Sequence, residues 1–161
     1  MSVAAIAEDA GTTRQALYRR WSSNADLATA AIAAMSRAAE RPPTDDPFDD
    51  LVRELKAFRR GVSRPDGVSM AGTMLIESTD PDLVALYRAR IVTPRRERFR
   101  EILERGVDAG LLDADADIEI ALTMCTGSWY ANALTGRLPP RRWADRVATA
   151  VWRSLGGDPP A

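Results

Sequence analysis

Residues 2–24 read SVAAIAEDAGTTRQALYRRWSSN, and the reading of this stretch decides the fold. It divides into two short helical patterns around a tight turn. Ser2 is suited to cap the first helix, because its hydroxyl can accept a bond from an otherwise unpaired amide one turn on. Val3, Ile6, Ala7 and Ala10 recur at i, i+3, i+4 and i+7, which is one apolar face of a helix. Gly11 stands where that helix must stop, and glycine tolerates the left-handed backbone a C-terminal cap needs. Thr12 and Thr13 are both suited to cap a second helix running through Ala16, Leu17 and Trp21. Arg14, Gln15, Tyr18, Arg19 and Arg20 occupy the rest of that helix's surface.

Two short helices joined by a glycine-containing turn make a helix-turn-helix, whose second helix can enter a major groove. The second helix carries suitable chemistry. Arg14 and Arg19 can each donate two bonds to guanine, and Gln15 can pair with adenine. Tyr18 and Arg20 suit phosphate oxygens, which fix register without reading sequence. From Gly11 to Asn24 there are three arginines and no acid, a local charge of +3. The same pattern also fits an amphipathic helical hairpin with a solvated basic face. Spacing alone leaves both readings open.

The opening SVAAIA, the AG turn, TTRQALYRRW and the following SSNADL together resemble the DNA-binding segment of TetR-family transcriptional regulators. The rest of the chain resembles that family in architecture only, as a helical effector domain of about the expected length. The resemblance implies that Arg14, Gln15, Ala16 and Arg19 face the groove. It puts Tyr18 and Arg20 at backbone contacts, with Thr13 at the helix start also in the DNA-binding set. Leu17 and Trp21 hold the helix against its neighbours. Two departures follow. The family usually has lysine where Asn24 stands, so some non-specific affinity should be missing. Family members also usually carry a further helix ahead of the position of Ser2. The expectation is a start upstream of Met1, or a reader lacking a third of its core. Ile6, Ala10 and Leu17 would then lack part of their apolar cover, at roughly 1.5–3 kcal/mol for each large side chain left exposed, and the N-terminus would be poorly ordered.

Composition narrows the classes. With 45% hydrophobic residues in 161, the chain can build a core, which excludes global disorder. No apolar run reaches the length of a membrane span, so no membrane partner is expected. No basic stretch followed by an apolar run opens the chain. The single cysteine, Cys125, allows no internal disulfide, and a reducing cytoplasm fits. The net charge of −1 leaves nucleic-acid affinity to a local patch. There is no histidine, which removes Ser–His and Cys–His nucleophiles and histidine metal sites. No glycine-rich phosphate loop or paired-cysteine spacing appears. The expectation is a protein that is not an enzyme and needs no cofactor or metal.

The remaining periodicity is helical, giving an all-α fold. The predicted division is a DNA-binding part with its connecting helix over 1–40, a ligand-binding and dimerisation part over 41–157, and a tail over 158–161. Ala25–Glu40 reads as an alanine-rich helix with a stripe of Leu27, Ala28, Ala31, Ile32 and Met35. Arg41–Asp50, with three prolines and four aspartates, reads as a loop capping a helix near Pro47. Leu51, Val52, Leu55, Phe58 and Val62 mark that helix. A turn over Arg64–Gly67 and a short helix over Met70–Ser78 follow. Asp80-Pro81 starts another helix, and Pro94 predicts a kink or restart within the long pattern to Ala109. The basic cluster after Pro94 reads as a solvated face, because acids interleave with its arginines. The acidic DADADIE lacks the spacing of a calcium loop, and Asp115 or Asp117 more simply caps the next helix. Ile118, Leu122, Cys125, Trp129 and Leu134 mark that helix, and Trp143, Val147, Ala148, Val151, Trp152 and Leu155 the last.

Phe58, Met70, Met74, Tyr87, Met124, Cys125 and Trp129 could wall a pocket for a lipophilic small molecule, with Glu77 as polar anchor. Ordinary core packing is the alternative for each. The resemblance implies that the last two helices form a four-helix bundle across a two-fold axis, with Ile118, Leu122, Trp143, Val147 and Val151 in the interface. Single-chain core is again the alternative. The function expected is a DNA-binding transcriptional regulator, a ligand-responsive repressor that binds a palindromic double-stranded operator as a homodimer. A helical ligand-binding and dimerisation protein without DNA affinity is the alternative, and an enzyme the third.

Overall fold

A computed structural model of the chain describes residues 3–38, 40–63, 80–137 and 139–160. Every regular element among them is helical, so the fold is all-α. The helices are α1 (Val3–Asp9), α2 (Arg14–Arg20), α3 (Asn24–Ala38), α4 (Pro47–Val62), α5 (Pro81–Tyr87), α6 (Thr93–Asp108), α7 (Ile118–Leu134) and α8 (Trp143–Ser154), with a π-helical turn at Arg88–Val92. Ser2, the turn over Arg64–Gly67 and the helix over Met70–Ser78 lie outside the described residues.

Most helix starts follow from local chemistry. The Asp46 carboxylate accepts from the Asp49 amide at 3.0 Å, with Pro47 leading α4. The Asp80 carboxylate accepts from the Leu83 amide at 2.9 Å ahead of α5, which Pro81 begins. Asp117, not Asp115, caps α7, accepting from the Ile120 amide at 3.0 Å. Each satisfies an amide the helix itself leaves unpaired. Around Pro94 the helix neither stops nor restarts: α5 widens into the π-helical turn at Arg88–Val92, and α6 follows directly at Thr93, so the proline, which has no amide to donate, sits just after the π-helical turn.

Two compact units form. In the first, residues 3–40 and 80–94, α3 packs against α5 and the π-helical turn. By compactness, residues 80–94 group with the N-terminal helices. The buried residues of α3 are Thr29 and Ala33. The predicted stripe is out of phase: Ala28, Ala31 and Met35 are exposed, and Leu27 and Ile32 only half-buried. Alanine on every side of α3 gives its periodicity little contrast, so the helix it packs against decides which face is covered.

The second unit holds the larger core. Leu51, Leu55 and Phe58 of α4, Phe99 and Leu103 of α6, Leu122 and Cys125 of α7, and Val151 and Trp152 of α8 are buried together. Phe48 meets Trp152 edge-on, with ring centroids 5.4 Å apart. Gly106 lets α6 approach this core. A Cβ there would lie 2.8 Å from Leu112 Cδ1 and 3.0 Å from Trp152 Cη2. The rigid indole cannot yield as the leucine tip can. Gly106→Ala is expected to cost about 1–3 kcal/mol despite alanine's better helix propensity, read as a lower urea midpoint at unchanged m-value. A midpoint at or above that of the unaltered chain would show that the core has room to spare.

Candidate nucleic-acid interface

α1 and α2 meet through Val3, Ala7 and Leu17, which are buried, with Ile6, Trp21 and Leu27 packed around them. Leu17 is 8% exposed, Ile6 half-buried and Ala10 exposed, so of the three only Leu17 finds nearly full cover. Between the helices, Gly11 takes φ +60°, and the Thr12 amide donates to the Ala7 carbonyl at 2.8 Å. Left-handed backbone here is open to glycine at little cost. Thr13, in extended backbone, caps α2: its hydroxyl accepts from the Ala16 amide at 3.1 Å.

With Leu17 turned inward, α2 presents its other residues to solvent. Arg14, Gln15, Tyr18, Arg19 and Arg20 are exposed, and Ala16 is half-buried. The Arg20 guanidinium lies 5.1 Å from the centroid of the Trp21 ring, and the Tyr18 hydroxyl is 3.4 Å from Asn24 Oδ1. The helix thus offers three guanidiniums and an amide on a surface with no acid from Gly11 to Asn24. That combination can meet base edges and phosphates together.

One partnership beside α2 escaped the sequence reading. The Asp26 carboxylate accepts from the Ser22 amide at 2.7 Å and from the Ser22 hydroxyl at 3.1 Å, while the Asp26 amide donates to Ser23 Oγ at 3.1 Å. The spacing from Ser23 to Asp26 is a capping-box signature and could have found half of it. Its other half, Arg90, comes from 64 residues away, where no local rule reaches.

The residues assigned by sequence to ligand and dimer contacts are distributed differently. Phe58, Cys125 and Trp129 are buried in the second unit's core, with Met124 half-buried beside them. Phe58 and Trp129 meet edge-on at 6.3 Å, and Trp129 and Trp143 at 5.3 Å. Tyr87 belongs to the first unit. Met70, Met74 and Glu77 lie outside the described residues. Of the interface set, Leu122, Trp143 and Val151 are buried within the single chain, and the Trp143 indole donates to Ser128 Oγ at 3.0 Å. Ile118 and Val147 are half-buried against the same core. The large apolar residues that α7 leaves exposed are Ile120 and Leu134, the latter 80% exposed.

Burial pushes the Cys125 thiol up to about 12. Native protein at pH 8 is therefore expected to resist iodoacetamide, because the thiolate is the nucleophile, and to label readily once unfolded. Comparable native and denatured labelling rates would show that the site opens.

Known proteins resemble this chain in sequence and in fold. Residues 41–151 match the family model described as "Tetracyclin repressor-like, C-terminal domain". The chain is 28% identical over 140 residues to YdeS, an uncharacterised HTH-type transcriptional regulator of Bacillus subtilis (strain 168), an alignment covering 84% of this chain and 70% of that protein. It is likewise 28% identical over 142 residues to an uncharacterised HTH-type transcriptional regulator of Mycobacterium tuberculosis, covering 87% of this chain and 69% of the relative. Among solved structures, the TetR family transcription regulator SCO0332 superposes with a TM-score of 0.69 at 26% identity, over 93% of this chain and 82% of that one.

Proposed function

This chain belongs to the TetR family of transcriptional regulators, which are DNA-binding proteins and not enzymes, and from that premise we propose that it is a repressor whose α2 reads a palindromic operator. In this reading Arg14, Gln15, Ala16 and Arg19 face the bases, and Thr13, Tyr18 and Arg20 contact the backbone. The observation that carries it is the exposure of Arg14, Gln15 and Arg19 on a capped helix anchored by one buried residue, Leu17.

The protein acts as a homodimer, since two half-sites about one helical turn apart need two readers. Ile120 and Leu134 supply exposed apolar surface for such an interface. The effector is a lipophilic small molecule taken up in the second unit beside Phe58, Met124 and Trp129, whose aromatic and thioether groups can repack around it. Its binding weakens operator affinity. No described helix is long and apolar enough to cross a membrane.

The test is binding to DNA from the region upstream of the protein's own gene, over a salt series. Specific binding should appear, with log affinity falling linearly in log salt. If no fragment binds better than random duplex, α2 is not a reader and a helical ligand-binding dimer becomes the better reading.

A further inference from the structure

The recognition helix has only seven residues, so its aim depends on what holds its ends. Its N-terminus is set by Thr13 and the Gly11 turn. At its C-terminus the Trp21 amide donates to the Leu17 carbonyl at 2.9 Å, and the backbone then turns extended. The Ser22–Ser23 turn that follows is gripped by Asp26, whose Oδ2 accepts from both the amide and the hydroxyl of Ser22. Asp26 is in turn gripped from outside the helix-turn-helix. Arg90 Nη1 lies 2.7 Å from Asp26 Oδ1, 2.9 Å from the Asp26 carbonyl and 3.0 Å from Thr29 Oγ1.

We infer that Arg90 is a positioning residue for DNA recognition: through Asp26 it fixes the turn on which the recognition helix ends. The inference rests on the reading of α2 as a DNA reader and adds a residue 64 positions away from Asp26 in the chain.

Three observations support it. Thr29 is fully buried, and its hydroxyl already donates to the Ala25 carbonyl at 2.8 Å. It has a partner within α3, so Arg90 is not needed to satisfy a stranded polar group. The Asp26 side chain is 13% exposed, which strengthens a charged hydrogen bond relative to one in open water. The Ser22 amide first, and the Arg90 guanidinium second, hold the Asp26 carboxyl below the usual carboxylate range. Lastly, Arg90 sits within the π-helical turn Arg88–Val92. Such turns are rare and concentrate at functional sites.

The consequence is geometric. A reader must be held within about 0.5 Å and 10–20° of its productive pose, and the residues that lock it from behind supply that restraint. Losing the clasp should damage base readout, which needs fixed geometry, more than attraction to phosphates, which tolerates tilt.

The experiment compares the unaltered chain with Arg90→Ala, Arg90→Lys, Asp26→Ala and the Arg90→Ala/Asp26→Ala pair. Fluorescence anisotropy is read on two labelled duplexes, the tightest-bound fragment of the upstream region and a shuffled duplex of the same composition. Arg90→Ala should bind the first about tenfold more weakly. It should bind the shuffled duplex within about twofold of the unaltered chain, at an unchanged salt slope. Arg90→Lys should recover part of the loss, because an ammonium reaches the carboxylate but cannot span the same acceptors. The double variant should be no worse than Asp26→Ala alone. In the absence of DNA, the Ser22 amide resonance should move and exchange faster in Arg90→Ala, which a variant that merely lowered global stability would not produce selectively. Equal losses on both duplexes, no loss on either, or an unmoved Ser22 amide would each overturn the inference. Should Arg90→Ala fail to fold, Arg90→Lys and its Ser22 amide decide alone. If the unaltered chain itself fails to distinguish the duplexes, the reader assignment falls, and the positioning role with it.

Discussion

Joint replacement of Arg14 and Arg19 by alanine is expected to lower operator affinity by on the order of thirtyfold to ten-thousandfold for each reader on its half-site. Each side chain can make a bidentate contact to guanine worth roughly 1–3 kcal/mol of discrimination, and each 1.4 kcal/mol is about a factor of ten. Both residues are exposed on α2, so their removal should leave folding within about 0.5 kcal/mol of the unaltered chain. Arg20→Ala is the informative contrast. Its guanidinium sits against Trp21 at the edge of the surface, where it suits a phosphate. It should weaken all duplexes alike and reduce the salt slope by about one. Competition of labelled operator against random duplex separates the two effects. If the Arg14/Arg19 variant loses affinity for both duplexes equally, those arginines supply charge and not readout, and the groove-facing assignment is wrong.

Asp50→Ala is expected to destabilise the second unit by about 2–3 kcal/mol, because a buried carboxylate and its charge-assisted hydrogen bonds are lost while the arginines left behind are a third exposed and can be solvated. Asp50 is 4% exposed. Its Oδ2 accepts from the Thr44 amide at 2.9 Å and from Arg105 Nη2 at 2.6 Å, while Oδ1 accepts from the Thr44 hydroxyl at 2.8 Å. Arg53 pairs with the same carboxylate from the next turn of α4. Alanine would leave Arg105 without its carboxylate and the Thr44 amide without its acceptor, while Arg53 keeps Asp49 at 3.1 Å. Asp50→Asn keeps the shape and part of the hydrogen bonding, so it should fall between. Glu119→Ala serves as control. That carboxylate also meets two arginines, Arg96 and Arg100, but its side chain is 60% exposed, so its loss should barely move the unfolding midpoint. Urea unfolding of the three variants checks the order. A loss for Asp50→Ala as small as that for Glu119→Ala would show that burial contributes nothing to this pair.

Much of the reader was legible from residues alone, because the rules that build it act over three or four positions. Thr13 before α2, Gly11 in its turn, Asp46 ahead of α4 and Asp80-Pro81 ahead of α5 are all read from their own neighbours. The apolar stripe of α4 was equally plain, since charged residues separate Leu51, Leu55, Phe58 and Val62. Contrast of that kind is missing from α3, where alanine surrounds the helix and the buried pair proved to be Thr29 and Ala33. It is missing from α7 as well, which is apolar on most sides. Only its neighbours α4 and α8 decide that Leu122 is core while Ile120 remains outside. Asp50 looked like one more acid in a proline-rich loop, and became a buried anchor because Arg105 arrives from 55 residues away. Arg90 carries no local signal of its role, which appears only where α3 places Asp26 and Thr29 against it. Caps, turns and a contrasted stripe depend on atoms within one helical turn, so the sequence determined them. The faces of uniformly apolar helices and the partners of buried charges depend on which distant segment packs alongside, and that is settled only when the chain folds.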